Sequence, residues 1–322
     1  MPSAASATYI RRVTSTPAQQ APVPPAVPGP PVWGPVAAIG VTLVLWASAF
    51  VAIRHLGHEV TPGALSLGRL LIAALVLSAL LARAPRNRFT RTEVVLLVCC
   101  GVAWFGIYNL ALNDSERRID AATAAMVVQV GPILIALLAG LFLGERLTGW
   151  LLLGMAVAFG GVVVIGVAMR GEGGSDLSGV LLALLAAATY AIGVVCQKVL
   201  LRRLSGLEVT CYACWIGALV CLPWAADLGD VVRHGSAETL LLVAYLGVFP
   251  TALAFSTWAY ALRHTDAGKQ SLTTFLVPVI AAGMAWVLLD EVPPPLAFAG
   301  GALCIAGVLL TRRKPRLPAA AA

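Results

Sequence analysis

Apolar runs of about 18 to 24 residues recur along this chain with only short polar breaks, at 35–54, 63–83, 93–112, 120–143, 147–168, 178–198, 208–226, 238–261, 266–289 and 294–311. At about 1.5 Å of rise per residue, each is long enough as a helix to cross roughly 30 Å of hydrocarbon. Each is about twice the length of a tilted membrane strand and lacks strict alternation, which argues against a β-barrel. With 59% hydrophobic and 11% charged residues in 322, the chain is too apolar for a soluble domain. The expectation is an all-α integral membrane protein with ten transmembrane helices.

The polar ends and connections give the orientation. Residues 1–33, with "PVPPAVPGPP" at 22–31, are expected to be a disordered cytoplasmic tail, and 312–322 a basic cytoplasmic tail. Arg11 and Arg12 precede the first apolar run by more than twenty residues, so no cleaved leader is expected. With the amino terminus inside, fifteen Lys and Arg fall in cytoplasmic connections and five in outer ones. That bias predicts a multi-pass protein of the cytoplasmic membrane with both termini cytoplasmic. It also accounts for the net charge of +7, so no nucleic acid is expected as a partner. All seven cysteines fall in or beside the spans, where they read as small hydrophobes. His55, His58 and Glu59 in one loop offer too few fixed ligands for zinc, so neither metal nor cofactor is expected. With no nucleophile elbow, paired zinc histidines or phosphate-binding glycine loop, the chain is not expected to be an enzyme.

The stretch "QVGPILIALLAGLFLGERL" (129–147) has a counterpart 146 residues later in "FLVPVIAAGMAWVLLDEVP" (275–293). The same offset pairs Pro132 with Pro278, Glu145 with Glu291, Gly154 with Gly300 and Gly161 with Gly307; an offset of 144 pairs Trp46 with Tyr190 and Arg54 with Lys198. The chain reads as five helices duplicated, over 34–168 and 178–311. Because five is odd, counterpart helices must cross the membrane in opposite senses. Inverted repeats of this kind are the usual basis of alternating access around a midplane site.

These residues resemble the drug/metabolite transporter superfamily, in its EamA-type ten-helix branch. The resemblance rests on Trp46, Ala47 and Phe50 in "LWASAFVAIR", then Ala121, Ala122, Ala125, Pro132, Gly144 and Glu145, and in the second half Ala267, Gly268, Pro278 and Glu291. The second half departs at Tyr190, in place of Trp46, and at Asp290, in place of Gly144. The resemblance implies a secondary transporter of small metabolites, often an exporter.

Glu145 and Glu291 stand at helix C-termini, where the dipole disfavours an anion, so each needs a cationic or backbone N–H partner. They are candidate gates, either as simple caps or as latches that form on one face while the other opens. Pro132 and Pro278 free backbone carbonyls inside helices and are candidate cavity-shaping or hinge positions. The candidate solute-binding residues are Trp46, Arg69, Tyr108, Asn109, Gln129, Tyr190, Trp258 and Thr274. Arg69 is the deepest unambiguous charge, and the polar side chains should face inward. Expected partners are a small-molecule solute and membrane lipid, and a homodimer is compatible with the pattern. The predicted function is export of a small polar or amphipathic metabolite, amino-acid-like or drug-like. Its rivals are a membrane-embedded enzyme acting on a lipid-linked substrate and a non-transporting receptor or assembly factor.

Overall fold

The structure, a computed structural model, describes residues 33–56, 59–83, 87–119, 121–168, 176–289, 294–311 and 313. The amino-terminal tail before Trp33, most of the carboxy-terminal tail, His58, Asp290 and Glu291 lie outside the described residues. The regular structure described is helical: α1 (Trp33–Leu56), α2 (Pro62–Leu81), α3 (91–118), α4 (121–143), α5 (Gly149–Ala168), α6 (Leu177–Leu200), α7 (Gly206–Val220), α8 (Ala237–His264), α9 (267–289) and α10 (Pro295–Thr311). Among the described residues, eight of these are individually long and apolar enough to span a bilayer. The exceptions are α10, at 17 residues, and α7.

The seventh span, expected over 208–226, stops at Val220. Pro223 lacks an amide hydrogen and disfavours helix at the residue before it, so the chain turns through a 3-10 segment, Leu222–Trp224. It leaves at 62° as the amphipathic helix Ala225–His234. That helix folds over the start of α2. The Trp224 ring occupies the space a side chain at Gly63 would need, Leu228 packs on Gly68, and Thr61 donates to Asp227 at 3.0 Å. His55 meets Glu238 at 2.7 Å and Thr239 donates to Glu59 at 2.6 Å, tying the α1–α2 connection to the start of α8.

The duplication is visible in backbone irregularities as well as in sequence. Both α3 and α8 carry a π-helical segment, Gly101–Ile107 and Gly247–Leu253, offset by 146 residues. Both end in an extended residue of nearly identical conformation, Ile119 (φ −128°, ψ 159°) and Thr265 (φ −129°, ψ 160°). Packing between the halves is reciprocal. Gly101 lies against Ile216 while Gly247 lies against Ile72, and the two isoleucines are themselves 144 residues apart. This exchange of equivalent contacts is the signature of a pseudo-two-fold axis relating the two repeats.

Helices α5 and α10 cross backbone to backbone. A Cβ on Gly161 would sit 2.5 Å from the Gly300 carbonyl oxygen, and one on Gly154 would sit 2.6 Å from that of Gly307; Gly300 and Gly307 return the same contacts. Small residues permit such approach where lipid supplies no hydrophobic drive between helices. The neighbouring glycines differ: Gly160 has open space beside it and Gly301 meets only ordinary contacts with Val279. Gly161→Ala is therefore expected to lower the thermal unfolding midpoint in detergent. Gly160→Ala, next to it, is expected to leave the midpoint unchanged or raise it slightly through better helix propensity, worth about 0.5–1 kcal/mol.

Candidate functional site

The centre of the molecule is built where α4 and α9 are broken by their prolines. Proline cannot donate to the carbonyl four residues back and clashes with it, so the helix yields one turn upstream. In α4 the break falls at Gln129 (φ −69°, ψ 0°), three residues before Pro132. In α9 the turn before Pro278 tightens to a 3-10 segment, Leu272–Leu276. The two breaks meet. The carbonyl of Thr274, which Pro278 cannot engage, accepts from Gln129 Nε2 at 3.3 Å. Ser271 Oγ donates to the Pro132 carbonyl at 3.4 Å. Gln129 and Thr274, both expected to line the site, are thus brought together.

At one end of the bundle α4 closes with a π-helical turn, Ala139–Leu143, and Gly144 takes a left-handed conformation (φ 70°, ψ 21°) that reverses the chain. The reversal aims the half-buried Glu145 at the first turn of α9. Its Oε1 accepts from Ala267 N at 2.6 Å and its Oε2 from Gly268 N at 2.9 Å. These are orphan donors at the positive end of a helix whose own N-cap residue, Asp266, makes no side-chain capping bond. The first repeat therefore supplies the missing cap of the second. Beside it, Lys198 Nζ donates to the Leu262 and Thr265 carbonyls, each at 2.6 Å, neutralising the negative end of α8.

Around the crossing lies a cluster of aromatic rings. Trp104 is fully buried and touches Trp46, Phe105, Tyr190, Phe255 and Trp258, with ring centroids 5.0–6.4 Å apart. Trp46 lies 5.0 Å from Trp258, and Tyr108 reaches Tyr190 at 5.9 Å. Buried indole N–H and phenol O–H groups usually have partners. Here the Nε1 of Trp46, the Nε1 of Trp258 and both ends of the Gln197 amide have none within hydrogen-bonding geometry, and the Tyr190 hydroxyl, which lies near the Thr274 side chain, does not reach it in that geometry. The cluster is apolar on its faces and unsatisfied at several of its polar edges.

Both π-helical segments serve this region. Trp104 and Phe105 come from the one in α3, whose carbonyls at Trp104 and Phe105 accept from Asn109 Nδ2 at 3.5 and 2.8 Å. Asn109 is thereby committed to its own helix. From the segment in α8, Thr251 donates to the Leu246 carbonyl at 2.8 Å and accepts from Arg69 Nε at 2.9 Å. Arg69 is 7% exposed, and no carboxylate among the described residues pairs with it. Trp104, Phe255 and Thr251 are absent from the candidates chosen by sequence. A tryptophan in the middle of an apolar span, away from the interfacial belt, was the available signal for Trp104.

The model of the EamA-like transporter family matches this chain at residues 32–167 and again at 177–313. A probable terminal-alkyne amino-acid exporter of Streptantibioticus cattleyicolor is 38% identical over 281 residues, covering 86% of this chain and 93% of its own. A probable amino-acid metabolite efflux pump of Escherichia coli is 26% identical, with coverages of 83% and 91%. A solved crystal structure 20% identical in sequence superposes with a TM-score of 0.71 over 87% of this chain and 96% of its own, a likeness of fold.

The orphaned hydroxyl of Tyr190 gives a direct test of the cluster. Removing an unpaired buried group costs little, whereas removing a bonded one forfeits about 0.5–1.5 kcal/mol. Tyr190→Phe is expected to leave the unfolding midpoint of the solute-free protein unchanged or higher. A clear drop would show that the hydroxyl has a partner.

Proposed function

The chain belongs to the EamA-like transporter family, and on that premise we propose that it exports a small amino-acid-like metabolite by alternating access, with Glu145 as the latch of one mouth. The observation that carries the reading is the bidentate grip of Glu145 on the first turn of α9, a contact between the two repeats at the very end of the bundle. Two hydrogen bonds to a charged acceptor contribute about 1.5–3 kcal/mol each, so opening this mouth has to be offset by comparable bonds elsewhere. The inverted repeat supplies them. The counterpart of Glu145 is Glu291 and the counterparts of Ala267 and Gly268 are Ala121 and Ala122, so the same grip at the opposite mouth gives two states of similar energy.

With the amino terminus cytoplasmic, Glu145 latches the inner mouth, as the release step of an exporter requires. The breaks upstream of Pro132 and Pro278 are the hinges, because they divide α4 and α9 into halves that meet at the centre. The names of the Streptantibioticus and Escherichia relatives favour an amino-acid cargo.

Two substitutions test the latch through the same bonds. Glu145→Ala removes both. Ala267→Pro removes one while leaving the helix intact, since proline is favoured at the first helical position and Asp266 already holds the extended conformation that precedes it (φ −67°, ψ 138°). In proteoliposomes exchanging a terminal-alkyne α-amino acid such as L-propargylglycine, Glu145→Ala is expected to slow exchange at least ten-fold and Ala267→Pro less. The double variant should be no slower than Glu145→Ala alone, because the effects share one interaction. Additive losses would separate the two residues and remove the latch.

A further inference from the structure

Arg69 stands seven residues into α2, about 10 Å along the helix from its start, where an ionisable group is costly unless something compensates it. The structure supplies little compensation. Nε is engaged by Thr251, which is itself committed to the Leu246 carbonyl. Near Arg69 lie Tyr108 on α3 and Cys214 on α7, a phenol and a thiol. Of the charged residues described, only Arg69 and Glu208 are buried, and the Glu208 carboxylate is held by Asn87 and Ser205. Arg69 also breaks the internal symmetry, since its counterpart 144 residues on is Ala213.

We infer that Arg69 is the carboxylate anchor of the solute site, so that the cargo is a small monocarboxylate, α-amino acids included, whose remainder is received by the neighbouring aromatic cluster. With Nε engaged by Thr251, the two Nη nitrogens form the outer end of the guanidinium, a fork that matches the two oxygens of one carboxylate. One buried positive charge balances one negative charge, which favours a carboxylate over a doubly charged phosphate. Tyr108, which lies near Arg69, packs on Tyr190, and Tyr190 packs on Trp104, so the aromatic cluster adjoins the guanidinium. This inference rests on the reading of the chain as a carrier of amino-acid-like solutes and names the group by which the solute is held.

The test compares L-norvaline with L-norvalinamide, which share side chain and ammonium and differ in carboxylate against neutral amide. Flux is measured in proteoliposomes for wild type, Arg69→Gln and Arg69→Lys, each checked for monodispersity and unfolding midpoint. Wild type is expected to carry norvaline with a KM at least ten-fold below that for the amide. Arg69→Gln should abolish the distinction, and Arg69→Lys, which keeps the charge but loses the fork, should restore part of it. Equal handling of acid and amide by wild type would overturn the anchor and leave the carrier reading standing, as would discrimination surviving in Arg69→Gln. If wild type carries neither compound, the amino-acid carrier reading fails, and quenching of tryptophan fluorescence then decides the anchor. Quenching by norvaline in wild type but not in Arg69→Gln sustains it, and no difference between them rejects it.

Discussion

Inside hydrocarbon there is no water to satisfy a peptide group, so every break in a helix must be matched by a side chain or another backbone. This protein breaks its helices repeatedly near its centre and at its mouths, and the matches define its architecture. The carbonyl freed by Pro278 goes to Gln129, the π-helical carbonyls of α3 go to Asn109, and that of α8 goes to Thr251. The bare amides at the start of α9 go to Glu145, and the carbonyls at the end of α8 go to Lys198. Several of these bonds run between the two repeats, so they stitch the halves together at the points where the helices are weakest.

The same requirement decides where buried polar side chains are spent. Asn109 and Gln129 look alike in the sequence as buried amides, and each gives its amide nitrogen to a backbone carbonyl. The tryptophan N–H groups of Trp46 and Trp258 and the Tyr190 hydroxyl are buried without such commitments. The pseudo-two-fold symmetry is kept in the reciprocal glycine contacts of α5 and α10 and is broken at Arg69, opposite Ala213, and at Trp104, opposite Pro250.

Much of this was legible in the chain. The apolar runs located the helices to within a few residues, and the prolines predicted where α4 and α9 would yield. The dipole argument predicted that Glu145 would need a positive or N–H partner, but not that it would be the first turn of α9. The end of α7 was misplaced because Pro223 lies inside a run that remains apolar on both sides, and hydropathy does not register a lost hydrogen bond. The π-helical segments were invisible because they change the turn by one residue without changing composition.

By itself the sequence determined the membrane class and the duplication. These follow from length, periodicity and recurrence at a fixed offset, which are properties of the chain in order. Only the tertiary structure decided which polar groups are satisfied and which are left over, because that depends on what α1, α3, α6 and α8 bring to the same few ångströms from residues 58 to 212 positions apart, as with Trp46–Trp104 and Thr42–Ala254. Local sequence sets the supply of donors and acceptors, and their pairing across the bundle sets what remains for a solute.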